Sequence, residues 1–544
     1  MAEAITEDQI IETVQAYHAA GNNKSAAARL LGIGQSTMSK RLDVLKMRGL
    51  IRERDGKLEA LTTEPWTRPA RGKVLRYLLT SAQNHTKIHQ EFWKNLHAMA
   101  VHYDATLMVS TFKYNKDAFA NNVLGKKRVR ISELPDDVEY DPEIVPYISN
   151  DRIDLAPRLT WCGELNILPT ARKPLTGMEN YTYRKSTIIP HTTIALKSVA
   201  AVKGEGVKLL YTTGACTQRN YIKRKEGFRA EHFHAYAALL VEVDSDGNWW
   251  CRQVEQGADG TLCDLNLVFR AGKLARDGAR VACITWGDIH ATKLDQRVAD
   301  AGWREPGNML DTLRPYSQHV HDLLDFTPAS HHTRKDPFEN YRAYMRNDRR
   351  SVANELMSTG QVAAALQRKW CRTVVVNSNH DRHLERYLKE IDWREDSENA
   401  ELVLRLTERC LRAIRLDDKA FNLVEFALKE GCALPLDGLD FLHEDESDVI
   451  LRQIDGGIEC GMHGDRGANG SKGTAAGIAR MGRKINMADK HSVEIVDLVY
   501  VAGVSGQLDM GYNKGPSSWT QAHIVTYNNG CRAIVSVWKG KWRA

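Results

Sequence analysis

Val374-Val375-Val376-Asn377-Ser378-Asn379-His380-Asp381 is the stretch on which the reading of this chain turns. Three β-branched residues in a row predict a short buried strand, and the polar run after them is delivered to the loop at its carboxyl end. There an Asn offers a neutral metal ligand, a His a proton donor and an Asp its orienter. The same three residues also make an ordinary polar turn, so their meaning depends on what else the chain brings.

Upstream, residues 280–286 predict a strand, followed by Gly287-Asp288-Ile289-His290. An Asp and a His two residues apart at a strand end can face one divalent ion with a hard oxygen and an imidazole nitrogen. Next come His321-Asp322-Leu323-Leu324-Asp325, Ser330-His331-His332 and Arg334. Seven of the 19 histidines fall between residues 290 and 383, a clustering that argues for a site rather than surface chance. Downstream, Gly461-Met462-His463-Gly464-Asp465 opens a glycine-rich loop. It lacks the Gly-x-x-x-x-Gly-Lys-Ser/Thr spacing, which excludes the usual nucleoside triphosphate loop. Ala488-Asp489-Lys490-His491 then precedes a strand predicted over 493–501. Helices are expected at 352–370, 401–414 and 420–429, the last two as a helical insert at about 384–440.

Residues 1–62 read as a winged helix-turn-helix. Ile10, Ile11, Val14 and Tyr17 form a helical stripe, Ser25 can cap a second helix ended by Gly32, and a third runs from Gln35 to Met47. Gln35, Ser36, Thr37, Ser39, Lys40 and Arg41 are left outward near its start, where such folds reach base edges and phosphates. Residues 52–58, turning at Asp55-Gly56, would form the wing. The same small domain could instead serve protein contacts alone. Residues 63–72, with Pro65 and Pro69, read as a linker. From 73 to 274 the chain has an α/β rhythm: strands at 74–80 and 105–110 around a helix at 89–103, and further strands at 206–212, 235–243 and 265–269. Between 126 and 197 no clear pattern emerges, and the basic run 126–130 reads as a solvated loop.

At 544 residues the chain implies two to four domains. Its net charge of +6 permits a nucleic-acid partner without demanding one. Neither a secretory signal nor a membrane-spanning run is apparent, so a soluble cytoplasmic protein is expected. Ten scattered cysteines without a Cys-x-x-Cys pair fit reduced thiols, and argue against a zinc ribbon or a disulfide framework.

Taken in order, Asp-x-His, His-Asp-x-x-Asp, Asn-His-Asp, a Gly-flanked His and a final x-x-His resemble the calcineurin-like metallophosphoesterases from about residue 275 to the end. The resemblance implies a two-sheet α/β sandwich holding two divalent metals at its strand ends. Carried over by position, Asp288, His290, Asp322 and His491 would hold one metal. Asp322 would bridge to a second, completed by Asn379, His463 and Asp489. The family's usual Gly-His-x-His is Ala488-Asp489-Lys490-His491 here, so Asp489 stands in for a His. The added carboxylate favours manganese, or magnesium, over zinc. His380 would protonate the leaving oxygen and Asp381 would orient it.

More loosely, residues 78–84, 211–216, 463–470 and 511–519 resemble the early host-DNA-degrading nucleases of tailed phages. That resemblance covers residues 73–544 and leaves the winged helix as an addition. It implies a metal-dependent DNase that acts as a homo-oligomer in an infected bacterial cytoplasm, with His331, His332, Arg334, His383 and Arg466 as candidate DNA contacts. A phosphomonoesterase or protein phosphatase of the same fold, and a DNA-binding regulator with a degenerate phosphoesterase body, are the alternatives.

Overall fold

The computed structural model describes residues 7–47, 51–54, 57–60, 63–114, 132–135, 137–330 and 333–544. The turn expected at 55–56, the basic run 126–130, and His331 and His332 lie outside these.

Helices Glu7–Ala19, Lys24–Leu30 and Gln35–Met47 pack around Ile10, Val14, Ala27, Met38, Leu42 and Leu45. Strands Ile51–Arg54 and Lys57–Ala60 pair antiparallel behind them, as expected for the wing. Asn23, not Ser25, caps the second helix: its Oδ1 accepts from the backbone N–H groups of Ser25 and Ala26. An Asn in extended backbone reaches those first free donors, whereas Ser25 already lies inside the helix.

The body is mixed α/β with several sheets. A six-stranded sheet runs in the order Leu439–Phe441, Arg372–Val375, Ser317–Val320, Cys283–Thr285, Ala522–Thr526, Arg532–Ser536. Its first four strands are parallel, and Ala522–Thr526 pairs antiparallel with both Cys283–Thr285 and Arg532–Ser536. Side-chain alternation divides its faces. Ile284, Val320 and Val375 meet the helices Val352–Leu366, Ala400–Arg415 and Leu423–Gly431 in one apolar core. On the other face, Ala522, Ile524 and Ile534 pack against Ala488, Ile495 and Tyr500 of an eleven-stranded sheet.

That second sheet crosses the division expected near residue 274. Leu196–Val199 pairs with Glu494–Val496, so strands from 152–212 and from 449–501 form one surface. The linker also belongs to it: Thr63–Glu64 pairs with the strand Arg152–Ala156, and Trp66 packs on the shared core. A four-stranded sheet, ordered Trp249–Glu255, Ala237–Val243, Leu75–Gln83, Thr106–Phe112, carries helix Gln90–Tyr103 on Leu78, Leu240 and Val254.

One expected strand is two. Residues 493–501 split into Glu494–Val496 and Val499–Val501, paired antiparallel, with Asp497 in the left-handed region at φ 52°. Asp tolerates that conformation better than most residues and so turns the chain.

Candidate metal centre

The parallel strands of the six-stranded sheet end on one side, where an open α/β sheet gathers its functional loops. Cys283–Thr285 leads to Asp288 and His290, Ser317–Val320 to His321 and Asp322, and Arg372–Val375 to Asn379 and His380. From the eleven-stranded sheet, Ile458–Glu459 leads to His463 and Lys484–Met487 to Asp489 and His491. The first loop depends on two glycines meeting: a Cβ on Gly287 would lie 2.6 Å from the Gly503 carbonyl carbon.

Asp288, His290, Asp322 and His491 offer ligand atoms that all lie within 4.8 Å of one another, and all four side chains are buried. His491 Nε2 is 3.1 Å from Asp288 Oδ2 and 3.0 Å from His290 Nε2. His290 Nε2 is in turn 3.7 Å from Asp322 Oδ2. Beside this set, His463 Nε2 lies 2.9 Å from Asn379 Oδ1, 3.4 Å from Asp322 Oδ1 and 3.7 Å from Asp489 Oδ1. Asp322 therefore stands between two groups, one on each side. Asp288 Oδ2 and Asp322 Oδ1 are buried without a hydrogen bond of good geometry. Buried carboxylate oxygens in that state are costly unless something else satisfies them.

The backbone carries strain here too. His290, Asp322, Asp489 and His491 all have positive φ, at 47°, 45°, 70° and 55°. For residues other than glycine this costs on the order of 1–3 kcal/mol each and gathers at functional sites.

Burial alone would raise the Asp322 carboxyl, but the imidazoles of His463, His380 and His290 hold it well below the usual carboxylate range. Burial would likewise lower His463, but Asp322, Asp288 and Asp489 push it up to about 10, and a cation held among those carboxylates would take that proton's place. Lys490 pairs with Asp489, drawing on the negative charge of the substituted position.

Asp381 does not orient His380. Its Oδ2 accepts from the Ser378 backbone N–H at 3.2 Å and from the Ser378 hydroxyl at 2.9 Å. Burial and then the Asp322 charge push its carboxyl up to about 6. The residue leads into helix Arg382–Glu390, and its side chain closes the turn before it. His380 is instead held by Asp325: its Nδ1 donates to the Asp325 carbonyl at 3.1 Å and lies 3.5 Å from the carboxylate. The same carboxylate is 3.1 Å from His290 Nδ1 and accepts from the hydroxyls of Thr292 and Thr327. Asp325 thus fixes two imidazoles at once. Sequence reading quoted it without a role, although its position three residues after Asp322 could have drawn attention.

Two candidate DNA contacts are engaged elsewhere. Arg334 is ion-paired to Glu390 and its side chain is 13% exposed. Arg466 pairs with Glu444 at 2.5 Å. The His383 ring lies 4.9 Å from that of His380, at the edge of the centre. Gln35, Ser36, Thr37 and Lys40 are exposed on the third helix, Ser39 is half-buried, and Arg41 donates to Thr13 Oγ1 at 3.3 Å. The 511–519 stretch, by contrast, reaches the centre: the Trp519 ring meets His491 edge-on at 4.3 Å and Tyr512 at 5.7 Å.

Behind the centre, Glu355 of helix Val352–Leu366 accepts from the Phe326 backbone N–H. Burial and then the Asp325 charge raise its carboxyl from 4.5 to about 8. The folded chain therefore holds this proton more tightly than the unfolded one, so stability falls as pH rises from 4.5 towards 8. Glu355→Gln keeps the shape and removes that loss. The variant should melt higher than the parent near pH ~8, by roughly 3 kcal/mol or less, and no higher near pH ~4.5. Melting curves across that range check this, and a difference independent of pH would contradict it.

The molecule thus defines a class: a helix-turn-helix joined to a mixed α/β body of several sheets, with a buried His/Asp cluster at the strand ends. A family model described as bacterial regulatory protein, Fis family, matches residues 10–44. Protein A1 of Escherichia phage T5 is 37% identical over 492 residues, covering 89% of this chain and 85% of that protein. The chain belongs to the family of phage T5 Protein A1. No solved structure matches it. Among the described residues, no helix is long and apolar enough to cross a membrane.

Proposed function

We propose that this chain is a divalent-metal-dependent DNA phosphodiesterase of the calcineurin-like kind, degrading host DNA in the cytoplasm of an infected bacterium and working as a homo-oligomer. The convergence of Asp288, His290, Asp322 and His491 carries this reading, because residues far apart in sequence meet in the combination that the motif order implied. Buried carboxylate oxygens of Asp288 and Asp322, faced by imidazole nitrogens and lacking a hydrogen bond of good geometry, fit a cation between them. Asp288, His290, Asp322 and His491 would hold one ion, and Asp322, Asn379, His463 and Asp489 a second. Oxygen donors outnumber imidazoles, which favours manganese or magnesium. Bound there, such ions supply positive charge against the phosphate oxygens and lower the pKa of water.

The chain's own residues do the rest. Asp325 fixes the His380 ring through Nδ1, leaving Nε2 to hand a proton to the departing oxygen. Lys293, 3.6 Å from Asp325 Oδ2, balances the carboxylate that holds both imidazoles. Tyr512 and Trp519 give the His491 side an aromatic surface on which a nucleobase can stack. A phosphomonoesterase has less use for such a surface. Strong activity on a nitrophenyl monoester with none on plasmid DNA would overturn the nuclease reading.

The helix-turn-helix supplies a separate DNA grip. Lys40→Ala should weaken binding about equally across sequences and lessen the slope of log affinity against log salt by ~1. Fluorescence anisotropy on labelled duplexes reads this. An unchanged slope would assign the domain to protein contacts.

A further inference from the structure

Below the proposed catalytic centre, between the two large sheets, lies a second cluster with different chemistry. Cys283, His319 and Cys460 are fully buried, and their ligand atoms lie within 4.8 Å of one another. His319 Nδ1 is 3.1 Å from Cys283 Sγ. Its other nitrogen, Nε2, is 2.6 Å from Asp448 Oδ2. Asp448 is itself fixed by the Arg372 guanidinium, at 2.9 and 3.0 Å, and its backbone N–H donates to Glu459 at 3.0 Å. An imidazole turned to two sulfurs on one side and to an anchored carboxylate on the other has the order of a metal-ligating histidine with its outer partner.

The donor set differs in kind from the one above it. Two sulfurs and one imidazole form a soft site that selects zinc, whereas the oxygen-rich centre selects harder ions. The cluster's position gives such an ion a task. Cys283 precedes Asp288 on one strand and loop, His319 precedes Asp322 on the next, and Cys460 precedes His463 on the facing sheet. One ion would tie the bases of three loops that carry the proposed catalytic ligands, adding to the packing and to the hydrogen bonds of Asp448 and Asn486 that already join the two sheets there.

We propose that Cys283, Cys460 and His319 hold a structural zinc ion, positioned by Asp448, that locks the register of the two sheets beneath the catalytic loops. The three protein donors leave the fourth tetrahedral position to a small ligand such as water, a more open set than the four protein ligands usual for structural zinc. The zinc is a positioning element and takes no part in the reaction. It does not depend on the nuclease reading.

The test uses the full-length protein, purified under reducing conditions and treated with chelator until manganese is gone. Elemental analysis should find about one zinc per chain. Cys460→Ser and His319→Gln should bring zinc close to zero, while Asp322→Asn, which alters only the upper centre, should retain it. Growth on cobalt should give the parent protein a thiolate-to-cobalt charge-transfer band that Cys460→Ser lacks. Because this reading comes from the parent protein, it stands even if a variant fails to fold. Absence of zinc and of the cobalt band from the parent would overturn the proposal. So would retention of zinc in folded Cys460→Ser, or a Cys283–Cys460 disulfide found after trapping thiols in the cell.

Discussion

His380→Ala is expected to slow DNA cleavage by ~10²- to 10⁴-fold while leaving manganese content unchanged. His380 is the outer imidazole of the cluster: its side chain is 20% exposed, whereas that of His290 is fully buried, and the two rings meet edge-on at 4.9 Å. It belongs to neither proposed ligand set, so its removal should spare both. Protonation of the leaving oxygen matters most when that oxygen is a poor leaving group, as a deoxyribose hydroxyl is. The variant should therefore recover much of its rate on a nitrophenyl phosphodiester, whose leaving group departs without help. Turnover should fall with little change in KM, since an interaction made only in the transition state is being removed. An equal loss on both substrates would mean that His380 only supports the fold or the metals.

Asp322→Asn should have the largest effect, abolishing measurable cleavage and depleting both ions together. Asp322 Oδ2 lies 3.7 Å from His290 Nε2 and Oδ1 lies 3.4 Å from His463 Nε2, so one carboxylate serves both groups. Asn preserves its outline but withdraws the charge and turns one acceptor into a donor. Loss of an outer partner of a metal ligand typically costs ~10- to 100-fold in affinity, and loss of a shared ligand should cost more. Manganese titration followed by calorimetry reads both sites. Tight binding of two ions by the variant would remove Asp322 from the bridging role. Loss of one ion with the other intact would assign it to a single site.

Part of this centre is legible in the sequence because Asp288, His290, Asn379 and His380 follow short apolar strands, whereas the polar residues of Ser317–Val320 and Ile458–Glu459 hide the strands that lead to Asp322 and His463. The Val374-Val375-Val376 run locates Asn379 and His380 by the same logic that locates Asp288 after Cys283–Thr285. What escapes is whatever depends on contacts between distant segments. Asp381 sits beside His380 in sequence, yet its carboxylate finds Ser378, because the turn into the next helix offers nearer donors. Asp325 orients the imidazole from a different loop. The pairing that joins Leu196–Val199 to Glu494–Val496 has no local signature either, so residues 73–274 read as a neighbouring region when they complete the same sheet. Cys283 and His319 are 36 residues apart, without the close Cys spacing that marks a zinc ribbon. The split of 493–501 was within reach, since Asp497 interrupts the apolar alternation where the chain turns.

The most direct test is to incubate the purified chain with linear and circular DNA, first with manganese and then with excess chelator, beside Asp322→Asn. The account predicts cleavage by the parent that needs the metal, stops with the chelator and is absent in the variant. Cleavage that persists in chelator, or no cleavage under any of these conditions, would contradict it.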